Sequence, residues 1–381
     1  QAAIMAPTSI LAEQHYRNFV NLLTGENGFL NQDEIRLLVG STTGSEKEAI
    51  KSGLVDGSIK IVIGTHAVIE PDVQFKDLQF VVIDEQHRFG VEQRAELRSK
   101  GTNPHLLVMT ATPIPRSLAL TMFGDLDISV MNVMPVGRQP IATHVLRPQE
   151  RERAYAMIRS QVKNGNQAFI VYPLIDESEK IDARAAVDDF EALSNHVFPD
   201  LKLGLLHGRM KPSEKDEVML KFRDKVFDIL VSTTVIEVGV DVPNSTLMLI
   251  EGADRFGLAQ LHQLRGRVGR GSVASTCLLI PTREDATENE RLQAMAITND
   301  GFELADLDLK LRGPGEFLGT RQAGFASSLK MASITDVKLI EKAREQAQNL
   351  FEKDPELHQP EHALLAEAFQ RFWNGTKSDV S

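Results

Sequence analysis

Short, almost continuous apolar runs recur along the chain and alternate with stretches of helical period. The first series is Ala2–Ala6, Ile35–Val39, Ile59–Ile63, Phe80–Asp84 and His105–Thr110. The second is Ile141–Leu146, Gln167–Val171, Lys202–Leu206, Asp228–Ser232, Thr246–Ile250 and Thr276–Ile280. Runs without polar alternation suit strands covered on both faces, as in parallel sheets. Helical patterns lie between them, at Ile10–Leu23, Glu150–Lys163, Asp182–Phe198 and Ser213–Asp224. Repeated strand–helix–strand units predict an open, doubly wound α/β architecture, in which functional loops gather at the carboxyl ends of the strands. Met131–Gln139 carries Pro135 and Gly137 without periodicity and reads as a linker between two α/β lobes. After Pro281 the strand signals stop. The remainder reads as helical except for the glycine-rich Arg312–Gly324, and its last helices, around Val337–Phe351 and Glu361–Trp373, are amphipathic. Phe351, Phe369, Phe372 and Trp373 in those helices read as packing residues.

The chain has 381 residues, enough for two or three domains, and its 42% hydrophobic and 25% charged content can build a real core. Its single cysteine, Cys277, excludes a disulfide framework, a cysteine-rich zinc site and a redox pair. No apolar run approaches the roughly 20 residues of a membrane span, and the N-terminus lacks the basic and apolar regions of a signal peptide. A reducing cytoplasm is the expected compartment. The net charge of -11 argues against a generally basic nucleic-acid coat but allows a local basic groove.

Four segments carry candidate chemistry. In Val81-Val82-Ile83-Asp84-Glu85-Gln86-His87, two carboxylates follow a buried run. At a phosphate-handling site one such group holds magnesium, often through water, and the other orients or deprotonates the attacking water. An isolated Asp-Glu pair more often simply opens a surface loop. Arg265-Gly266-Arg267-Val268-Gly269-Arg270, preceded by Gln263, offers guanidinium forks suited to phosphate oxygens, although basic turns are commonly just solvated. Thr110-Ala111-Thr112-Pro113 and the stretch from Ser232-Thr233-Thr234 to Gly239-Val240-Asp241 are uninformative singly, since turn chemistry explains each.

Order changes the weight of these signals. Ala6-Pro7-Thr8, Gly64-Thr65-His66, Asp84–His87, Thr110–Thr112, Leu206-His207-Gly208, Ser232–Asp241 and Gln263–Arg270 each fall at or just beyond a predicted strand end. This ordered set resembles the motifs of superfamily 2 nucleic-acid helicases and translocases, over about residues 1–285. Asp84-Glu85-Gln86-His87-Arg88-Phe89-Gly90-Val91, and Leu311 through Gly324 with Arg312, Gly315, Glu316, Arg321 and Gln322, narrow the resemblance to the bacterial branch-migration helicases of the RecG type. Transcription–repair coupling translocases share a relative of the second segment but usually lack its Thr-Arg before the glutamine.

The resemblance implies two RecA-like doubly wound parallel-sheet lobes, at 1–138 and 139–285, and a mainly helical translocation segment and tail at 286–381. It implies ATP and Mg2+, with Asp84 the metal ligand through water and Glu85 the catalytic base. Gln263, Arg267 and Arg270 would reach the phosphates. Gly239 and Asp241 would meet the nucleotide, and His87, Thr110 and Thr112 would couple its state to the lobes. Pro7, Thr8, Gly64, Thr65 and His66 in lobe one, with Thr233 and Thr234 in lobe two, would track the DNA backbone. Expected partners are branched DNA, meaning forks and Holliday junctions, and a single-stranded-DNA-binding protein; the expected setting is a monomer in the bacterial cytoplasm. Between Gly301 and Met331 four acidic residues balance four basic ones, which suits a lever touching protein better than a DNA-coating patch.

One family feature is missing. The phosphate loop, Gly-x-x-x-x-Gly-Lys-Ser/Thr, does not occur among the 381 residues. In the family it precedes the strand corresponding to Ala2–Ala6, so it is expected upstream of Gln1, as is the junction-wedge domain. The expectation is the motor portion of a longer fork-remodelling enzyme, itself ATPase-deficient because the backbone cradle for the phosphates is lacking. The rival readings are a catalytically silent DNA- or protein-binding module and a transcription–repair coupling translocase.

Overall fold

The computed structural model describes residues 1–25, 28–86, 89–113, 127–131, 133–134, 138–173, 179–233, 242–271, 273–312 and 337–376. Each of the eleven apolar runs forms a strand, with ends displaced by at most two residues. The first sheet holds β1 (Ala2–Met5), β2 (Ile35–Leu38), β3 (Ile61–Gly64), β4 (Phe80–Ile83) and β5 (His105–Val108), ordered β2-β3-β1-β4-β5. The second holds β6 (Ala142–Val145), β7 (Gln167–Val171), β8 (Leu203–Leu206), β9 (Ile229–Ser232), β10 (Ser245–Glu251) and β11 (Thr276–Ile280), ordered β6-β11-β10-β7-β9-β8. Every pairing is parallel.

Burial explains the missing alternation. β3, β7, β9 and β10 are buried at every position, because helices cover both faces. In β1, Ala3 and Met5 enter one core with Leu54 and Leu97, while Ile4 enters the opposite core with Leu11 and Ala12. Those partners lie on α2 (Gly44–Asp56), α3 (Val91–Ser99) and α1 (Ser9–Leu23). In the second sheet Ala168, Ile170, Ile229, Val231, Leu247 and Leu249 share a core with Ala154 and Ile158 of α4 (Arg151–Lys163). Each such aliphatic side chain contributes about 1.5–3 kcal/mol on burial.

The remaining helices are α5 (Glu179–Ala192), α6 (Pro212–Arg223), α7 (Leu258–Arg265), α8 (Glu290–Ile297), α9 (Gly301–Arg312), α10 (Val337–Lys353) and α11 (Ala363–Thr376). Their ends follow local chemistry. Thr8 caps α1 by accepting from the Leu11 amide at 3.3 Å, and Asp300 caps α9 by accepting from the Phe302 amide at 2.8 Å. α2 stops at Gly57, whose φ of +81° places it in the left-handed region.

By internal contacts the chain divides into two compact units. One is Gln1–Pro113 with Val133–Ala305, holding both sheets, and the other is Ile114–Asn132 with Asp306–Ser381. Among the described linker residues, Met131, Val133, Met134, Arg138 and Gln139 form neither helix nor strand. One expectation from the tail fails. Phe351 and Phe369 are 69% and 56% exposed rather than buried in a core, and the side chains of Phe372 and Trp373 lie outside the described residues. Of the glycine-rich stretch, residues 313–324 lie outside the described residues. No helix among the described residues is long and apolar enough to cross a membrane.

Candidate functional site

Strand register brings the predicted segments of the first sheet to one level. Met5 lies beside Gly64 and Ile83, and Ile83 lies beside Val108, so the residues after each strand share the carboxyl edge. The ladder runs on, with the Asp84 amide donating to Met5 O at 3.0 Å and the Met109 amide to Ile83 O at 2.8 Å. At Glu85 the backbone turns with φ +51°, a conformation that disfavours residues with a Cβ and is held only where surroundings over-determine it. Here Asp84 Oδ1 accepts from the Glu85 amide at 2.8 Å, and the Gln86 amide donates to Met109 O at 3.2 Å. The turn drives Glu85 inward to 6% exposure, where its Oε2 accepts from the Ala111 amide at 3.4 Å. Thr110 Oγ1 accepts from the Thr112 amide at 3.1 Å, closing the turn that aims Ala111 at Glu85. The second Asp84 oxygen, Oδ2, meets His15 Nε2 at 2.8 Å.

The expected DNA-tracking residues line the same edge. Thr8 is the cap of α1. Thr65 donates its amide to Leu38 O at 3.3 Å and precedes the short 3-10 turn His66–Ile69. The His66 ring lies 5.4 Å from that of Phe89, four residues past Glu85. Gly64 has a packing reason of its own, since a Cβ there would stand 2.0 Å from the Leu38 carbonyl oxygen.

In the second sheet α7 carries the decisive side chains. Gln263 Nε2 donates to Thr112 Oγ1, joining the arginine-bearing helix of one lobe to the threonine turn of the other. Glu85, the 110–112 turn and Gln263 therefore form one contact chain between the lobes. Arg265 points away from it. The Arg265 guanidinium is buried, and its Nη1 donates to Met295 O at 2.9 Å and to Thr298 O at 2.8 Å. Burial lowers its basicity. His262 packs against Gly301, where a Cβ would stand 2.6 Å from His262 Cε1 and 3.0 Å from Pro113 Cγ. Arg267 is buried, and Arg270 Nε donates to Gly266 O at 3.3 Å. Burial raises the carboxyl of Asp216 on α6, and Ser9 of the first lobe offsets part of that rise.

Thr233 follows β9 at the second carboxyl edge, 2% exposed, with its amide on Leu206 O at 3.2 Å. Its hydroxyl is buried with no partner among the described residues. It borders a cleft of about 290 Å³ with Tyr172, Glu251, Arg151 and Arg255. Arg151 grips Glu251 in a two-pronged pair at 2.8 and 2.9 Å, which holds the guanidinium above its ordinary value. The roles of His15 and Arg265 and this cleft escaped sequence reasoning, since each pairs residues far apart in the chain. Thr234, Gly239, Asp241, His87, Gly315, Glu316, Arg321 and Gln322 lie outside the described residues, as does the side chain of Arg312.

Magnesium usually takes one or two carboxylates from a protein and completes its shell with water and phosphate oxygens. Asp84 and Glu85, side by side at a strand end, fit that demand. Among the described residues no group of three or more His, Cys, Asp or Glu side chains gathers to hold a metal by itself.

Two all-parallel lobes with this order of strand-end segments define the superfamily 2 helicase core, of RecA-like fold. The family models agree in order: DEAD/DEAH box helicase over residues 1–121, helicase conserved C-terminal domain over 150–272, and ATP-dependent DNA helicase RecG, domain 3, C-terminal, over 298–379. The chain belongs to the RecG family. It is 52% identical over 368 residues to the ATP-dependent DNA helicase RecG of Thermotoga maritima, covering 96% of this chain and 46% of that one. It is 48% identical over 377 residues to the Synechocystis sp. protein of the same name, covering 98% and 45%. A solved structure of RecG bound to a three-way DNA junction superposes with a TM-score of 0.72 at 49% identity, over 91% of this chain and 43% of that one. The chain thus spans about half the length of the curated relatives it matches.

Proposed function

We propose that this chain is the motor portion of an ATP-dependent DNA translocase that remodels branched DNA at stalled forks and recombination junctions. The observation that carries the reading is the contact chain from Glu85 through Ala111 and Thr112 to Gln263. It joins a buried carboxylate of one lobe to the helix that leads into Arg267 and Arg270 of the other. A triphosphate gripped between them would meet acid groups from one side and guanidinium groups from the other.

In this reading Glu85 accepts the proton of the attacking water. Its burial and its bond from Ala111 hold it in one orientation, which a positioned base requires. Arg267 and Arg270 stabilise charge on the transferring phosphoryl group, with Gln263 reporting lobe closure to Thr112. Asp84 would hold magnesium through water, and the ion would supply neutralisation of phosphate charge. Pro7, Thr8, Gly64, Thr65, His66, Thr233 and Thr234 follow the DNA backbone, Gly239 and Asp241 meet nucleotide, and His87 couples the two. Arg312, Gly315, Glu316, Arg321 and Gln322 transmit the cycle to the duplex. The three-way junction in the related RecG structure supports branched DNA as substrate. A single-stranded-DNA-binding protein is a further partner in this reading, and the working unit is a monomer.

The 381 residues contain no Gly-x-x-x-x-Gly-Lys-Ser/Thr, so the polypeptide alone should hydrolyse ATP negligibly, and a longer chain supplying that loop should hydrolyse it in response to branched DNA. In that longer chain Glu85→Gln should cut turnover by roughly 10²–10⁴-fold while nucleotide still binds. Junction unwinding that survives Glu85→Gln refutes the assignment.

A further inference from the structure

We infer that His15 is a positioning residue of the phosphate-handling site: it holds the Asp84 carboxylate in its metal-taking orientation and ties that orientation to helix α1. The inference rests on the reading of Asp84 as the metal-holding carboxylate.

Among the described residues the Asp84 side chain has two partners, one on each oxygen. The Glu85 amide donates to Oδ1 at 2.8 Å, and His15 Nε2 stands 2.8 Å from Oδ2. A single bond would leave the carboxylate free to swing about its terminal torsion, whereas bonds to both oxygens fix its plane. An ionised carboxylate only accepts, so the contact requires a hydrogen on His15 Nε2. Each oxygen has further lone pairs available to water on a hard cation. Both side chains are largely withdrawn from solvent, at 21% and 17% exposure, so water competes weakly for the bond.

The other end of the lever is also built. Ile10, Leu11 and Ala12 are buried and seat α1 on the first sheet. Six residues before His15, about 9 Å along the axis, α1 begins at Ser9. Thr8, the expected backbone-tracking residue, caps the same end. One helix therefore has the expected backbone-tracking turn at its start and the Asp84 anchor about two turns on. Displacement of the first end shifts His15 and with it the plane of the carboxylate.

The test is a titration with Mn2+ in the presence of ADP, followed by electron paramagnetic resonance, on a longer chain that supplies the phosphate loop and on its variants. His15→Leu should raise the Mn2+ Kd about tenfold, within the range for lost partners of metal ligands. His15→Asn, polar but too short to reach Oδ2, should do the same. His15→Gln, whose amide can donate across the gap, should return the Kd to within about twofold of the parent. Circular-dichroism melts accompany each variant, because a merely structural role would move the melting temperature without this ordering of affinities. Binding by His15→Leu and His15→Asn within twofold of the parent overturns the positioning role, provided that Asp84→Asn weakens binding. If Asp84→Asn leaves Mn2+ binding unchanged, or the parent binds none, Asp84 is not the metal-holding group and the inference falls with that reading.

Discussion

His262 and Arg265 sit beside Gln263 on one short helix, yet they do different work. Gln263 faces the other lobe, Arg265 satisfies the carbonyls of Met295 and Thr298, and His262 lies half-buried against Gly301 and Pro113. Burial pulls the His262 imidazole down to about 4; Arg265 and Arg138 add repulsion, and Asp300 offsets part of it. The pH consequence follows from the sign. The folded value lies below the unfolded value of roughly 6.5, so His262 adds no pH dependence above that point. As pH falls from about 6.5 toward 4, the unfolded chain takes the proton first and stability drops, by up to roughly 3 kcal/mol. Melts from pH 7 to 4.5 should show a steeper loss for the parent than for His262→Gln, which cannot take the proton. Parallel slopes would contradict it. The sequence places three arginines between 265 and 270; the bonds to Met295 O and Thr298 O, not burial, which Arg267 shares, mark Arg265 as the clamp.

Elements owe their shape to local chemistry and their consequences to what covers them. α1 was legible from its period and from Thr8 at its start, but its role as a strut depends on His15 meeting Asp84 just past β4. Gly64 looked like a backbone-tracking glycine; its closest demand is room beside Leu38 at the end of β3. β5 shows the converse. Among the described residues it pairs on one side only, and Leu107 stands 45% exposed on that edge strand. Unpaired amides beside exposed aliphatic side chains template pairing between copies. Leu107→Lys should therefore shift the purified chain toward monomer in sedimentation velocity without lowering its melting temperature. An unchanged association profile would show that this edge does not self-pair.

At the scale of the molecule, a specific hydrogen bond joins the two sheet-bearing lobes, Gln263 on Thr112. One hydrogen bond of about 1 kcal/mol is enough to bias an opening equilibrium between lobes by roughly fivefold. In a longer chain supplying the phosphate loop, Gln263→Ala and Thr112→Val should each lower DNA-stimulated ATP turnover by about five- to tenfold. The double variant should be no worse than the poorer single one, because both remove the same contact. Additive losses would mean that the two side chains act separately.

Strand and helix alternation, the parallel character of both sheets and the gathering of Asp84, Thr110, Thr65 and Thr233 at strand ends could all be deduced from the chain as written. Those features depend on periodicity and turn chemistry within a few residues. The partner of Asp84 lies 69 residues away, and the partner of Thr112 lies 151 away. No local pattern encodes such meetings, because they arise when packed helices and sheet register fix which faces confront each other. Tertiary structure alone therefore decided that Glu85 would be buried in a left-handed turn, that Arg265 would clamp rather than reach, and that a histidine would hold the neighbouring carboxylate.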